Sequence, residues 1–194
     1  YYGSPRPIRD GHVLPSAPLA DVFRSGEWNR VPVIIGTNRD EIRPFIADKP
    51  EYSRLMFGSL PMLIDRSVYA LESDTMSAVW RSLHLDGPAD AMLAGGHRDV
   101  WTYRFDWDEA PPVPYVRPDL LFGAGHGMEI PFVFRDMEGR TDLFKVSSLM
   151  NLASRRALSG TMASAWASFA RKGRPTVPDT TWAARRRTTS SAES

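Results

Sequence analysis

Val31-Pro32-Val33-Ile34-Ile35-Gly36-Thr37-Asn38-Arg39-Asp40-Glu41 passes from a β-branched apolar block straight into a polar turn. The apolar part does not alternate with polar residues. It therefore reads as a strand buried on both faces, the pattern of a parallel sheet covered by helices. Gly36 closes the run. Open α/β sheets gather functional groups in the loops beyond the carboxyl ends of their strands, and a carboxylate at Asp40 or Glu41 sits in such a loop. On position alone, an ordinary polar turn closing a strand accounts for the same residues.

Upstream of this run, Pro5, Pro7, Gly11, Pro15 and Pro18 punctuate the first 30 residues, which read as a loop crossing the surface, with a short helix from Leu19 to Arg24. Downstream, residues 50–95 read as helical. Ser73 and Asp74 are a possible cap for a helix whose Met76, Val79, Trp80 and Leu83 share one face. Asp99 to Trp107 alternates as a strand does, with Trp101, Tyr103, Phe105 and Trp107 on one side and Val100, Thr102, Arg104 and Asp106 on the other. Ala110 to Pro118 holds four prolines and reads as a loop. Leu143 to Lys172 reads as helical, with a possible break at Ser159–Gly160. Its second piece carries Met162, Trp166 and Phe169 on one side and stops at Gly173, where a capping glycine belongs. Strand, helices, strand and helix in this order give the α/β class in a single domain, without an internal repeat or a linker.

With 194 residues, 42% apolar and 24% charged, the composition is that of a globular domain with a sizeable core. A net charge of +1 offers no general electrostatic case for nucleic acid or an anionic membrane as partner. The basic run Arg185-Arg186-Arg187 lies in a C-terminal stretch, 183–194, that reads as a solvated, disordered tail. No apolar run approaches the roughly 20 residues that span a bilayer. The chain has no cysteine, which excludes disulfides and thiolate metal sites and suits a reducing, cytoplasmic compartment. His12, His84, His97 and His126 show no H-x-x-x-H or similar spacing, so no metal site is expected.

The second chemical constellation is Gly123-Ala124-Gly125-His126-Gly127-Met128-Glu129-Ile130-Pro131-Phe132-Val133-Phe134. A histidine between glycines is little crowded, and can lean toward a reacting group while its other ring nitrogen meets a partner. Taken alone, it reads first as a loop histidine bonded to backbone. Together with Glu41 it follows the order of an α/β-hydrolase triad, in which serine precedes the acid and the acid precedes the histidine.

The segment Val31 to Glu41 resembles the one that bears the acid in type-B carboxylesterases and cholinesterase-like proteins, and Gly125 to Phe134 resembles their histidine segment. Asp10-Gly-His-Val-Leu-Pro15 and Met162 to Gly173 add supporting likeness, so the resemblance covers roughly residues 5–185. It implies the C-terminal part of an α/β-hydrolase fold, with Glu41 as triad acid, His126 as triad base and a small-molecule ester as substrate. That chemistry requires no cofactor and no metal. Asp40 reads as a loop-shaping or salt-bridging residue. Glu129 matches a family position, and either supports the histidine or makes a structural hydrogen bond. Trp80, Trp101, Phe57 and the methionines line a substrate pocket or belong to the core.

The sequence departs from the family in three places. No G-x-S-x-G occurs, and no glycine-rich oxyanion segment, so the nucleophile is expected in an N-terminal part outside this chain, which opens on Tyr1 rather than Met. Ile42 stands where many relatives have glycine. After Trp182 the chain lacks the tryptophan–proline–aromatic stretch and final strand of its relatives. The alternatives to an esterase part are a non-catalytic cholinesterase-like binding module and an inactive gene fragment.

Overall fold

The computed structural model describes residues 7–58, 60–111, 116–136 and 150–176. The strand read from the apolar run is β1, Val33–Asn38, and it pairs in parallel with β4, Val100–Phe105, in the register Val33 to Val100 through Asn38 to Phe105. Gly36 faces Tyr103 across this pair, and a Cβ there would come within 2.0 Å of the Tyr103 ring. The glycine is what allows the ring to lie over the strand. Burial on both faces does not hold. Val33 to Gly36 are half-buried and only Thr37 and Asn38 are buried, because among the described residues β1 has β4 as its one strand neighbour.

The predicted helix α1 forms over Leu19–Ser25, ahead of β1. Between the two strands the chain leaves the sheet, first through α2, a single turn at Arg43–Ile46. The expectation of helix throughout residues 50–95 fails at its start. Ser53–Met56 and Leu60–Leu63 are β2 and β3 of an antiparallel hairpin, since Pro61 cannot continue a helix and Gly58 turns with φ +75°. Helix α3 then spans Arg66–Arg81 and is capped by Asp65, whose carboxylate accepts from the backbone of Ser67 and Val68 at 2.8 and 3.0 Å. Ser73 and Asp74 are therefore inside the helix, not at its start. The inward stripe is Tyr69, Ser73 and Ser77, while Met76, Val79 and Leu83 are exposed. Small hydroxyl side chains let this face come close to the backbone it packs on: Ile42 N–H donates to Ser77 Oγ at 3.2 Å. A π-helical turn, Ser82–Asp86, joins α3 to α4, Gly87–Ala94, and Gly87 N–H reaches back to Ser82 O. The wide turn comes just before Pro88, which has no N–H to give to the preceding turn.

After β4 come two short helices, α5 at Pro118–Leu121 and α6 at Ile130–Phe134, and the long α7, Leu152–Lys172. The break proposed at Ser159–Gly160 is absent. Ser159 is buried and donates to Phe132 O at 2.8 Å, and this tie to α6 with the burial of Met162 and Ala165 outweighs the ~1 kcal/mol that one glycine costs a helix. Gly173 caps α7 in the left-handed region at φ +66°. Rings stitch α7 to the aromatic face of β4, with Trp101 on Phe169 at 6.1 Å and Tyr103 on Trp166 at 6.2 Å. Phe105, Trp107, Ala110, Ala124, Met128, Phe132 and Met162 form the main core, so the histidine segment is anchored by its own apolar neighbours. No helix of the described residues is long and apolar enough to cross a membrane. The 183–194 tail and the Leu143 start of the last predicted helix fall outside the described residues.

Candidate active site

β1 ends at Asn38, and the chain turns sharply, with Arg43 N–H on Asp40 O at 3.1 Å. The turn brings Glu41 back over the strand it has just left. One carboxylate oxygen, Oε1, accepts from Asn38 N–H at 2.7 Å and from Thr37 Oγ1 at 3.1 Å. The other, Oε2, meets His126 Nδ1 at 2.7 Å. The two residues singled out in the sequence, 85 positions apart, are thus in direct contact. Glu41 is buried, whereas the His126 side chain is 44% exposed. An ionised carboxylate only accepts, so the proton of a neutral His126 ring belongs on Nδ1, which leaves Nε2 as the basic nitrogen.

Asp40 holds the two loops together. Its N–H donates to Ala124 O at 3.0 Å, and its Oδ2 accepts from Ala124 N–H at 2.9 Å. Oδ2 also accepts from Arg39 Nε and Nη2 at 3.1 and 2.8 Å, and Arg43 Nη2 lies 3.3 Å from Oδ1. The loop-shaping, salt-bridging role read for Asp40 is what the geometry displays. Gly123 makes the approach possible, since a Cβ there would fall 2.1 Å from Asp40 Oδ2 and its φ is +52°.

Glu129 is tied to the acid loop. Asn38 Nδ2 donates to Glu129 Oε2 at 2.5 Å and to Gly125 O at 2.6 Å. Burial raises the pKa of the Tyr103 hydroxyl well above its ordinary value, and the nearby charges of Glu129 and Glu41 add to that shift.

Two rings flank the imidazole. Phe45 lies 5.1 Å from His126 and Trp80 5.6 Å, edge-on, and His84 packs on Trp80 at 4.5 Å. Of the proposed pocket residues, Trp80 is at the site, and the Met128 sulfur lies 3.4 Å from Gly125 N–H, beside the histidine. Trp101 packs on α7, and Phe57 is 82% exposed at the hairpin. Sequence reading passed over Phe45, Thr37 and Asn38. Phe45 carried a usable signal, as an aromatic side chain one helical turn beyond Glu41. A cleft of about 610 Å³ borders the other side of the acid loop, lined by Asn38, Arg39, Asp40, Arg43 and Ser77 among others, and neither Glu41 nor His126 faces it. Among the described residues no group of three or more histidine or acidic side chains is gathered to hold a metal.

The arrangement can shuttle a proton at Nε2 and stabilise the imidazolium that forms. Comparison with known proteins places the chain among esterases. The family model that matches is that of the carboxylesterase family, over residues 75–193. Para-nitrobenzyl esterase of Bacillus subtilis (strain 168) is 28% identical over 190 residues, covering 92% of this chain and 37% of that protein. Fumonisin B1 esterase of Sphingopyxis macrogoltabida is 32% identical over 190 residues, covering 89% and 33%. A para-nitrobenzyl esterase structure superposes with a TM-score of 0.63 at 25% identity, covering 92% of this chain and 37% of that one. A Geobacillus stearothermophilus carboxylesterase gives 0.61 at 26% identity, with 92% and 39% covered. The fold is that of these α/β-hydrolases, and the chain spans about a third of the length of the curated relatives it matches.

Proposed function

The chain belongs to the carboxylesterase family, and we propose that it carries the acid, Glu41, and the base, His126, of a serine carboxylic-ester hydrolase whose nucleophile comes from outside these 194 residues. The observation that supports this reading is the 2.7 Å contact between His126 Nδ1 and a Glu41 carboxylate whose other oxygen is already held by Thr37 and Asn38. A carboxylate so fixed orients the ring and selects its tautomer, which is what the acid of a triad does.

In the proposed reaction the serine Oγ attacks the ester carbonyl carbon as His126 Nε2 takes its proton. Glu41 stabilises the resulting imidazolium. The tetrahedral intermediate collapses, the carbon–oxygen bond to the alcohol breaks, and Nε2–H protonates the leaving alkoxide. Water then repeats the sequence on the acyl-enzyme, losing its proton to Nε2, and the serine leaves protonated. The relatives are named for two different esters, a para-nitrobenzyl ester and fumonisin B1, so the proposal extends to the ester class and not to one substrate. Phe45 and Trp80, beside the imidazole, would wall the space next to the reacting carbonyl.

The test is hydrolysis of p-nitrophenyl esters by the full reading frame, beside His126→Ala and Glu41→Gln. A loss of about 10,000-fold in kcat is expected for each. Retention of activity by His126→Ala within about ten-fold would remove the assignment.

A further inference from the structure

We infer that Asn38 is a positioning residue for His126, its side-chain amide tying the histidine loop to the acid loop on both sides of the ring. This rests on the reading of Glu41 and His126 as an acid–base pair. The one nitrogen of Asn38 serves an acceptor on each side of His126: Gly125 O at 2.6 Å in the residue before it, and Glu129 Oε2 at 2.5 Å three residues after it. Both partners are acceptors, so the orientation of the amide is settled by its chemistry: nitrogen, with its two hydrogens, must face them. Asn38 is 4% exposed and is the last residue of β1, where its backbone N–H holds Glu41 Oε1 at 2.7 Å.

A single residue therefore fixes the carboxylate through its main chain and the histidine loop through its side chain. Asp40 pins the loop at Ala124, but nothing on Asp40 reaches beyond the histidine. Without the Asn38 amide, the loop is held to the turn only on the near side of His126. The ring can then swing by the ångström or so that disrupts alignment with a reacting group, a displacement that costs about 100-fold in rate. Serine or threonine could supply one of the two hydrogen bonds, and aspartate none. An aspartate oxygen placed at the nitrogen position would face a carbonyl and a carboxylate.

The experiment compares Asn38→Ala, Asn38→Asp and Glu129→Ala. In the full chain, NMR of the downfield His126 Nδ1–H proton reports its bond to Glu41. In the full reading frame, ester hydrolysis reports kcat and KM separately. Positioning predicts that the nearly isosteric Asn38→Asp is at least as harmful as Asn38→Ala. Each should lose the Nδ1–H signal and about 100-fold in kcat with KM unchanged. Glu129→Ala, which leaves β1 untouched, should weaken the signal and lower kcat by about ten-fold, and it carries the test if the Asn38 variants do not fold. A near-parental Asn38→Asp beside a damaged Asn38→Ala would mean that the side chain only fills space, and the inference falls. It falls equally if the Nδ1–H signal survives in all three variants. If the parent chain itself shows no such signal, the Glu41–His126 pair is absent and both this inference and the proposed function fall.

Discussion

Replacing Asp40 by alanine removes the side chain that holds the histidine loop at Ala124. Asp40 is 2% exposed, and its carboxylate is the acceptor for the Ala124 N–H at 2.9 Å. Ala124 is fully buried, so in Asp40→Ala that N–H loses its partner where water cannot replace it, at about 1–3 kcal/mol. The charges add to this. Stranding a buried charge costs about 3–5 kcal/mol, but neither arginine is stranded. Arg39 keeps Asp108 at 2.6 Å and Arg43 keeps Asp74 at 3.1 Å, and the Arg39 side chain is already 36% exposed. The charge contribution is therefore small, and the sum is on the order of 2–4 kcal/mol. For a chain of this size that lowers Tm by roughly 5–15 °C. Asp40→Asn separates the two effects, because its amide oxygen can still accept from Ala124 while the charge is gone. It should retain at least half of the lost stability. The assay is urea unfolding followed by circular dichroism, with midpoints compared at equal slope. The reasoning is refuted if Asp40→Ala unfolds within about 0.5 kcal/mol of the parent, the range of an ordinary surface change. It is refuted as well if Asp40→Asn is as damaging as Asp40→Ala, for then the bond to Ala124 contributes nothing.

Three further changes test the packing. Burial raises the Tyr69 hydroxyl pKa above its ordinary 10.0, so at higher pH the unfolded chain gives up a proton that the folded chain keeps. Its contribution is complete below pH 10 and is lost as pH rises toward the folded value, and Tyr69→Phe should flatten part of that alkaline decline in urea midpoints taken at about pH 8 and about pH 11. The same variant should cost about 1–3 kcal/mol near neutrality, since the hydroxyl lies 2.7 Å from Leu121 O and 3.1 Å from Arg43 O. Gly36→Ala drives a methyl to 2.0 Å from the Tyr103 ring and should destabilise by at least ~1–3 kcal/mol, with a loss of near-ultraviolet dichroism as the ring is displaced. Gly160→Ala meets nothing within 4 Å on the α7 surface and should raise stability by about 0.5–1 kcal/mol, readable as a higher Tm.

What was legible in the sequence was local. The β-branched run of β1, the alternation of β4 and the terminal Gly173 each follow from backbone preferences that neighbouring residues express by themselves. The contact between Glu41 and His126 was expected from the order of acid and histidine in an α/β-hydrolase triad, and the two side chains do meet. The inward face of α3 was not legible. Its apolar residues Met76 and Val79 point outward, and the buried stripe is Tyr69, Ser73 and Ser77, which hydrogen-bonds to the Ile42–Arg43 backbone through Ser77 and Tyr69. Periodicity in hydrophobicity cannot report a face made of hydroxyl-bearing side chains. Asn38 was invisible for a related reason: an asparagine ending a strand is ordinary until its two acceptors, 87 and 91 residues away, are known.

The long separation also explains why the site is built from several modest bonds rather than one strong one. Bringing Glu41 to His126 closes a loop of 85 residues, which costs about 4 kcal/mol of chain entropy in addition to a constant. No single hydrogen bond of about 0.5–1.5 kcal/mol net offsets that. The Asp40–Ala124, Asn38–Gly125, Asn38–Glu129 and Glu41–His126 contacts nevertheless span nearly the same interval, 84 to 91 residues. They share one closure, so the entropy is lost once and each additional contact adds stability with little further ordering. The core of Phe105, Ala124, Met128 and Phe132 draws the same two regions together by burial. The Glu41–His126 contact therefore does not have to hold itself in place: Thr37, Asn38 and Asp40 fix the loops, and in the proposed triad the Glu41–His126 bond would be left to set the tautomer and direction of the ring, the part of the geometry that proton transfer depends on.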